Sequence, residues 1–190
     1  HLSTYPLTGD LMLTPAQKTA IRATIPSLQA HGATITRTFY ASLFAAHPEL
    51  LNIFNPANQQ TGQQARSLAA SVLAYAEHID RPDLLAPMVQ RIAHKHVSLD
   101  VQPQQYPVVG QHLLSAIADV LGEAATPDIL SAWAAAYDEL AALMTATESD
   151  LYRTATEQPG GWSGFTPLRV TRITPESSVI TSLTLEQIGR

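Results

Sequence analysis

Apolar residues recur at steps of three and four over most of this chain, the spacing that lines one face of an α-helix. Thr14-Pro15-Ala16-Gln17 opens the first helix, with Thr as N-cap, Pro at the first helical position and Gln closing a capping box. Ile21, Ile25 and Leu28 form its stripe, and Gly32 predicts a break before a second helix. That helix carries Ile35, Phe39, Leu43 and Ala46 on one side, with Thr36, Tyr40, Phe44 and His47 beside them. Pro48 interrupts it, and a polar loop is expected from Asn55 to Gln63. A third helix is expected from about Gln64 to His78, with Leu68, Val72 and Tyr75 facing inward. Pro82 and Pro87 punctuate the next segment, so a fourth helix is expected to restart near Pro87. Two long helices close the set. One runs from about Pro103 to Leu121 with Tyr106, Val109, Leu113, Ile117 and Val120 in line. The other, capped by Thr126-Pro127-Asp128, aligns Leu130, Trp133, Tyr137, Leu140, Met144, Glu148 and Leu151.

After Tyr152 the period changes. Glu157 to Gly161 has the composition of a linker, and Leu168–Thr174 and Val179–Glu186 are rich in β-branched residues about Pro175-Glu176-Ser177-Ser178. This predicts a β-hairpin. A lone hairpin is marginal in water, so it is expected to belong to a larger β domain or to dock on the helices.

Composition narrows the function classes. With 190 residues, 45% of them hydrophobic, the chain can bury one substantial core. A net charge of −5 argues against nucleic acid and against anionic membrane surfaces. The absence of cysteine removes thiol catalysis, thiolate metal sites and disulfides, and points to a cytoplasmic home. No apolar run is long enough for stable membrane insertion. Residues 1–12 lack the pattern of a secretory signal and are expected to be an extension.

Against that background His96 stands out. It continues the stripe Leu85, Met88, Ile92, His96, Leu99, where an imidazole without a partner or a metal would be costly. Tyr106 and Glu148 hold equivalent core-facing positions on later helices and Tyr40 on an earlier one, a set that points to a polar cofactor. His94 lies about 200° around the helix from His96, so this H-x-H pair cannot clamp one metal from a regular helix.

The order of several blocks supports a family resemblance. They are Leu13-Thr14-Pro15, Phe39-Tyr40, His47-Pro48-Glu49-Leu50, Ile53-Phe54-Asn55, Arg91-Ile92-Ala93-His94-Lys95-His96, Gln105 to Leu114, Ala132-Trp133 with Ala136-Tyr137, and Glu148 through Tyr152. The segment from Met12 to Tyr152 resembles the haem domain of bacterial flavohaemoglobins, and equally the related single-domain bacterial haemoglobins. The resemblance implies an all-α globin fold over 13–156. Residues 157–190 then form a linker and the first strands of an incomplete FAD-binding β-barrel, a tail that favours the flavohaemoglobin branch. The chain ends before any flavin-contacting Arg-x-Tyr-Ser stretch and contains no G-x-G-x-x-G element. Haem b is thus the expected cofactor, with FAD and NAD(P)H belonging to a complete parent protein of which this is a fragment.

The same resemblance implies residue roles. His96 matches the proximal iron ligand, and Lys95 a lysine that often precedes it. Tyr106 and Glu148 match the residues contacting that histidine, where a carboxylate accepting the imidazole N–H makes the ligand more electron-rich. Tyr40 matches the distal tyrosine, Gln64 (with Gln63 beside it) the polar gate, Leu68 the apolar residue over the iron and Phe54 the aromatic packed on the macrocycle. Two functions remain open: dioxygenation of nitric oxide to nitrate, drawing electrons from a reductase domain or an external reductase, or storage, delivery or sensing of dioxygen. A monomer or weak homodimer is expected.

Overall fold

The computed structural model describes residues 13–54 and 61–188. The expected extension over 1–12, and all of the expected Asn55–Gln63 loop before Thr61, lie outside them. The chain divides into two compact units between Ser149 and Asp150. Among the described residues six α-helices precede one antiparallel hairpin: α1 Pro15–Ala23, α2 Ile25–Ala46, α3 Gln63–Glu77, α4 Pro82–Ser98, α5 Gln105–Leu121 and α6 Pro127–Glu157, then β1 Leu168–Pro175 and β2 Thr181–Gln187. A short 3₁₀ turn, Pro48–Asn52, follows α2.

Local chemistry accounts for the helix ends. The Thr14 hydroxyl accepts from the Gln17 N–H at 3.2 Å, and the Gln17 side chain accepts from the Thr14 N–H at 2.8 Å, forming the expected capping box. The first break falls at Thr24 rather than at Gly32. Pro26 has no N–H to give to the Arg22 carbonyl, and the Thr24 hydroxyl instead donates to the Ile21 carbonyl at 2.6 Å. Gly32 lies buried within α2, facing Ala69 of α3. Its role is close packing of two helices, which a sequence pattern alone reads as a stop. Thr36 reinforces the crossing by donating to the Ala65 carbonyl at 2.8 Å.

Pro87 also behaves differently from expectation, since α4 runs unbroken from Pro82. The proline removes one hydrogen bond to the carbonyl of Asp83, an exposed residue that water can serve instead. The last helix starts as predicted, with the Thr126 hydroxyl accepting from the Ile129 N–H at 3.4 Å.

The helical core gathers Ile21, Leu28, Ile35, Phe39, Leu43, Ile117 and Trp133, among others. The stripe bearing His96 does not join it as expected. Leu85 is buried, but the buried contacts further along α4 come from Val89 and Ala93, whereas Ile92, His96 and Leu99 border a cavity and keep partial exposure.

In the hairpin, the ladder slips between Val170 and Arg172, leaving Thr171 as an extra residue whose hydroxyl donates to the Thr184 carbonyl. Alternation reverses across such a bulge. Ile173, paired with Leu183, therefore joins the face of Val170, paired with Leu185. All four of these side chains are exposed.

Candidate functional site

The helical unit encloses a cavity of about 330 Å³ with mostly apolar walls. Seven of the eight residues singled out in the sequence line it: Tyr40, Phe54, Gln64, Leu68, Lys95, His96 and Tyr106. Glu148 lies behind His96, only 2% exposed. His94 is exposed on another side of α4.

Three helices converge at His96. Its Nδ1 lies 2.7 Å from Glu148 Oε1 and 3.1 Å from the Tyr106 hydroxyl, which itself donates to Glu148 Oε1 at 2.7 Å. A carboxylate oxygen can only accept, so Nδ1 carries the proton. In a neutral imidazole this tautomer places the lone pair on Nε2, the atom that can then ligate a metal. The His96 side chain keeps 32% exposure because its ring borders the cavity. Glu148 Oε2 is buried and makes no hydrogen bond. A carboxylate held this way is tolerated only while Oε1 keeps both of its donors.

Tyr106 is itself held. The Tyr137 hydroxyl donates to the Tyr106 carbonyl at 2.7 Å. The Tyr137 ring reaches α5 only because residue 110 is glycine: a Cβ there would stand 2.5 Å from Tyr137 Cε1. Burial, with the charge of Asp138, pushes the Tyr137 hydroxyl above its ordinary range, so it stays a donor.

Elsewhere on the cavity wall the chemistry is sparser. Tyr40, 9% exposed, is set in an aromatic cluster, with its ring centroid 5.6 Å from Phe44 and 5.7 Å from Phe54. Burial pushes its hydroxyl up to about 12, against the opposing pull of a hydrogen bond with Gln64. The hydroxyl therefore remains protonated at neutral pH. Gln64 lines the cavity whereas Gln63 is exposed and bonded to Ser67 and Arg66, which separates two neighbouring amides that the sequence leaves side by side.

Residues 37–144 match the globin family. The chain belongs to that family. Within the globins it is similar to a flavohemoprotein of Deinococcus radiodurans, 68% identical over 178 residues that make up 94% of this chain and 44% of that protein. It thus spans less than half the length of the curated relatives it matches. Among solved structures, a flavohaemoglobin of Malassezia yamatoensis with bound FAD and haem superposes with a TM-score of 0.82 at 31% identity, covering 94% of this chain and 46% of that one. An engineered carbene transferase from Rhodothermus marinus, provisionally described as a nitric oxide dioxygenase, gives 0.72 at 36% identity, covering 76% of this chain and 99% of that one. This globin therefore corresponds to the globin part of a flavohaemoglobin, and its hairpin matches the start of the FAD-binding domain.

Two residues that position the site, Tyr137 and Gly110, fall in blocks that carry the resemblance but receive no site role from the sequence. Tyr137 reads as core packing, and Gly110 as an ordinary helix glycine. The available signal is spacing: Tyr137 shares a helix face with Glu148, and Gly110 lies one turn after Tyr106.

Proposed function

We propose that this chain is a haem-binding domain that oxidises nitric oxide to nitrate with dioxygen, as the cytoplasmic haem portion of a longer flavohaemoglobin. The observation that carries the reading is the 2.7 Å bond between His96 Nδ1 and a buried carboxylate that also accepts a hydrogen bond from the Tyr106 hydroxyl. Globins built only to hold dioxygen need no such charged acceptor behind the ligand, and a charged acceptor makes the imidazole a stronger electron donor.

The donor set fits haem b. One imidazole, bonded to the protein through Nδ1, borders a mostly apolar cavity, and Phe54 and Leu68 offer apolar contact there. His96 would hold the iron, and Lys95 on the rim would offer a cation to a propionate. When bound, haem supplies the iron at which dioxygen and nitric oxide are combined.

The chain's own residues then do three things. Glu148 and Tyr106 fix the His96 ring and keep its proton on Nδ1. Tyr137, through the Tyr106 carbonyl, keeps that hydroxyl in register. Tyr40, kept protonated by burial and tied to Gln64, offers the cavity a hydrogen-bond donor for a small polar ligand. The electrons such an activity consumes would come from the FAD and NAD(P)H portion of a longer protein or from an external reductase.

The test is a haem titration of the purified chain, followed by nitric oxide added to its oxygenated ferrous form. Rapid conversion to ferric protein with stoichiometric nitrate supports the reading. Haem uptake with slow conversion favours a dioxygen carrier or sensor instead.

A further inference from the structure

A second, open cavity lies against the outside of the site. It is lined by Arg37 and Tyr40 of α2, by Gly62, and by Arg66 of α3, and no carboxylate is among its described lining residues. Tyr40 lines both this cavity and the main one.

The chain carries a net charge of −5, and two other arginines of the helical unit pair with acids, Arg22 with Asp80 and Arg81 with Asp83. Arg37 and Arg66 have no carboxylate partner among the described residues. Their hydrogen bonds there are long and local, 3.3 Å to the Thr34 hydroxyl and 3.3 Å to the Gln63 side chain. Each guanidinium has five donors, so most remain available. Gly62 adds room: it has φ +68°, and a Cβ there would stand 3.3 Å from Arg66 Nη1. The residue type that suits the turn also lets Arg66 fold back over it.

Unpaired guanidiniums lining one recess, with no competing acid, attract small planar oxyanions, to which their forked donors are matched. We infer that this recess is a binding site for a small monovalent oxyanion. If nitric oxide is oxidised in the main cavity, as proposed, it is where nitrate is received on leaving past Tyr40. The arginines would draw the anion away from the buried Glu148 charge and weaken product retention at the main site. No covalent change is involved.

The probe is sodium nitrate, titrated at constant ionic strength into the ¹⁵N-labelled full chain while the arginine Nε–Hε signals are followed. The expected result is a saturable shift of two such signals, with apparent affinity reduced at least about threefold by Arg37→Gln or Arg66→Gln alone, as for loss of one charge-assisted hydrogen bond. The double variant should show only linear drift, and Arg91→Gln should behave as the wild type. Both arginines are exposed, so circular dichroism should report an unchanged helical fold for the double variant. Linear drift in the wild type, or saturation that persists in the double variant, overturns the site. The nitric oxide reaction is scored separately. Saturable nitrate binding without conversion of nitric oxide would overturn the proposed activity and leave the oxyanion site standing.

Discussion

His96, Tyr106 and Glu148 share one carboxylate oxygen at 2.7 Å and a third contact at 3.1 Å, with Tyr137 bracing Tyr106 from a further 2.7 Å. Tyr40, on another part of the same cavity wall, has one amide partner and otherwise touches aromatic rings. The first arrangement draws on three helices and a buried charge, so any change to it disturbs geometry, charge and stability together. The second draws on a single hydroxyl in an apolar cluster, so it can be edited with little else moving. Under the proposed function, the first region would set the electron richness of the iron and the second how long a ligand stays.

That contrast can be broken most severely at His96. His96→Ala should abolish saturable haem uptake in a spectral titration; retained five-coordinate ferrous spectra in the variant would place the ligand elsewhere. The next largest effects should come from Glu148→Gln and Tyr40→Phe, and they should differ in kind. A hydrogen bond to a charged group contributes roughly 1.5–3 kcal/mol, or about 10–100-fold in a rate. Glu148→Gln should slow conversion of nitric oxide to nitrate by about that factor and also lower the melting temperature. Tyr40→Phe should speed dioxygen release by about the same factor in stopped-flow measurements and leave the melting temperature nearly unchanged. If both variants alter the same observables equally, the distinction between the two regions fails.

Gly110→Ala should be milder, costing about 1–3 kcal/mol through overpacking against Tyr137. Denaturant unfolding measures the loss, and Gly110→Ala combined with Tyr137→Leu should recover part of it. The smallest effect concerns alkali. Tyr40 titrates near 12 in the folded chain, above the ordinary tyrosine value of 10.0, so the folded state holds this proton more tightly than the unfolded one. Its contribution is complete below pH 10 and is lost as pH rises toward about 12. Tyr40→Phe should flatten the stability curve across that window.

Much of the helical layout is legible in the sequence. Periodicity locates α3, α5 and the start of α6 to within about two residues, because long amphipathic segments and Pro or Thr caps are strong local signals, whereas α6 continues to Glu157, past the change of period after Tyr152. The cavity residues follow from aligned stripes and the family resemblance. Gly32 and Pro87 mislead for a common reason. Both have poor helix propensity, and tertiary context outweighs it: Gly32 admits Ala69 of α3, and Pro87 leaves only an exposed carbonyl unserved. The His96 stripe misleads differently. A sequence pattern records that a face is apolar, not whether it meets packed side chains or an enclosed space. Arg37 and Arg66 are invisible as a pair because only the crossing of α2 and α3 brings them to one recess.

The interlock of Gly110 and Tyr137 bears on how such a protein can diverge. A larger residue at position 110 collides with the ring, while loss of the Tyr137 ring removes the brace on Tyr106 and opens a gap beside the glycine. Descendants can change both positions together far more easily than either one first. The pair should therefore act as a ratchet, keeping the spacing of two helices, and with it the setting of one imidazole, steady while the surrounding surface drifts.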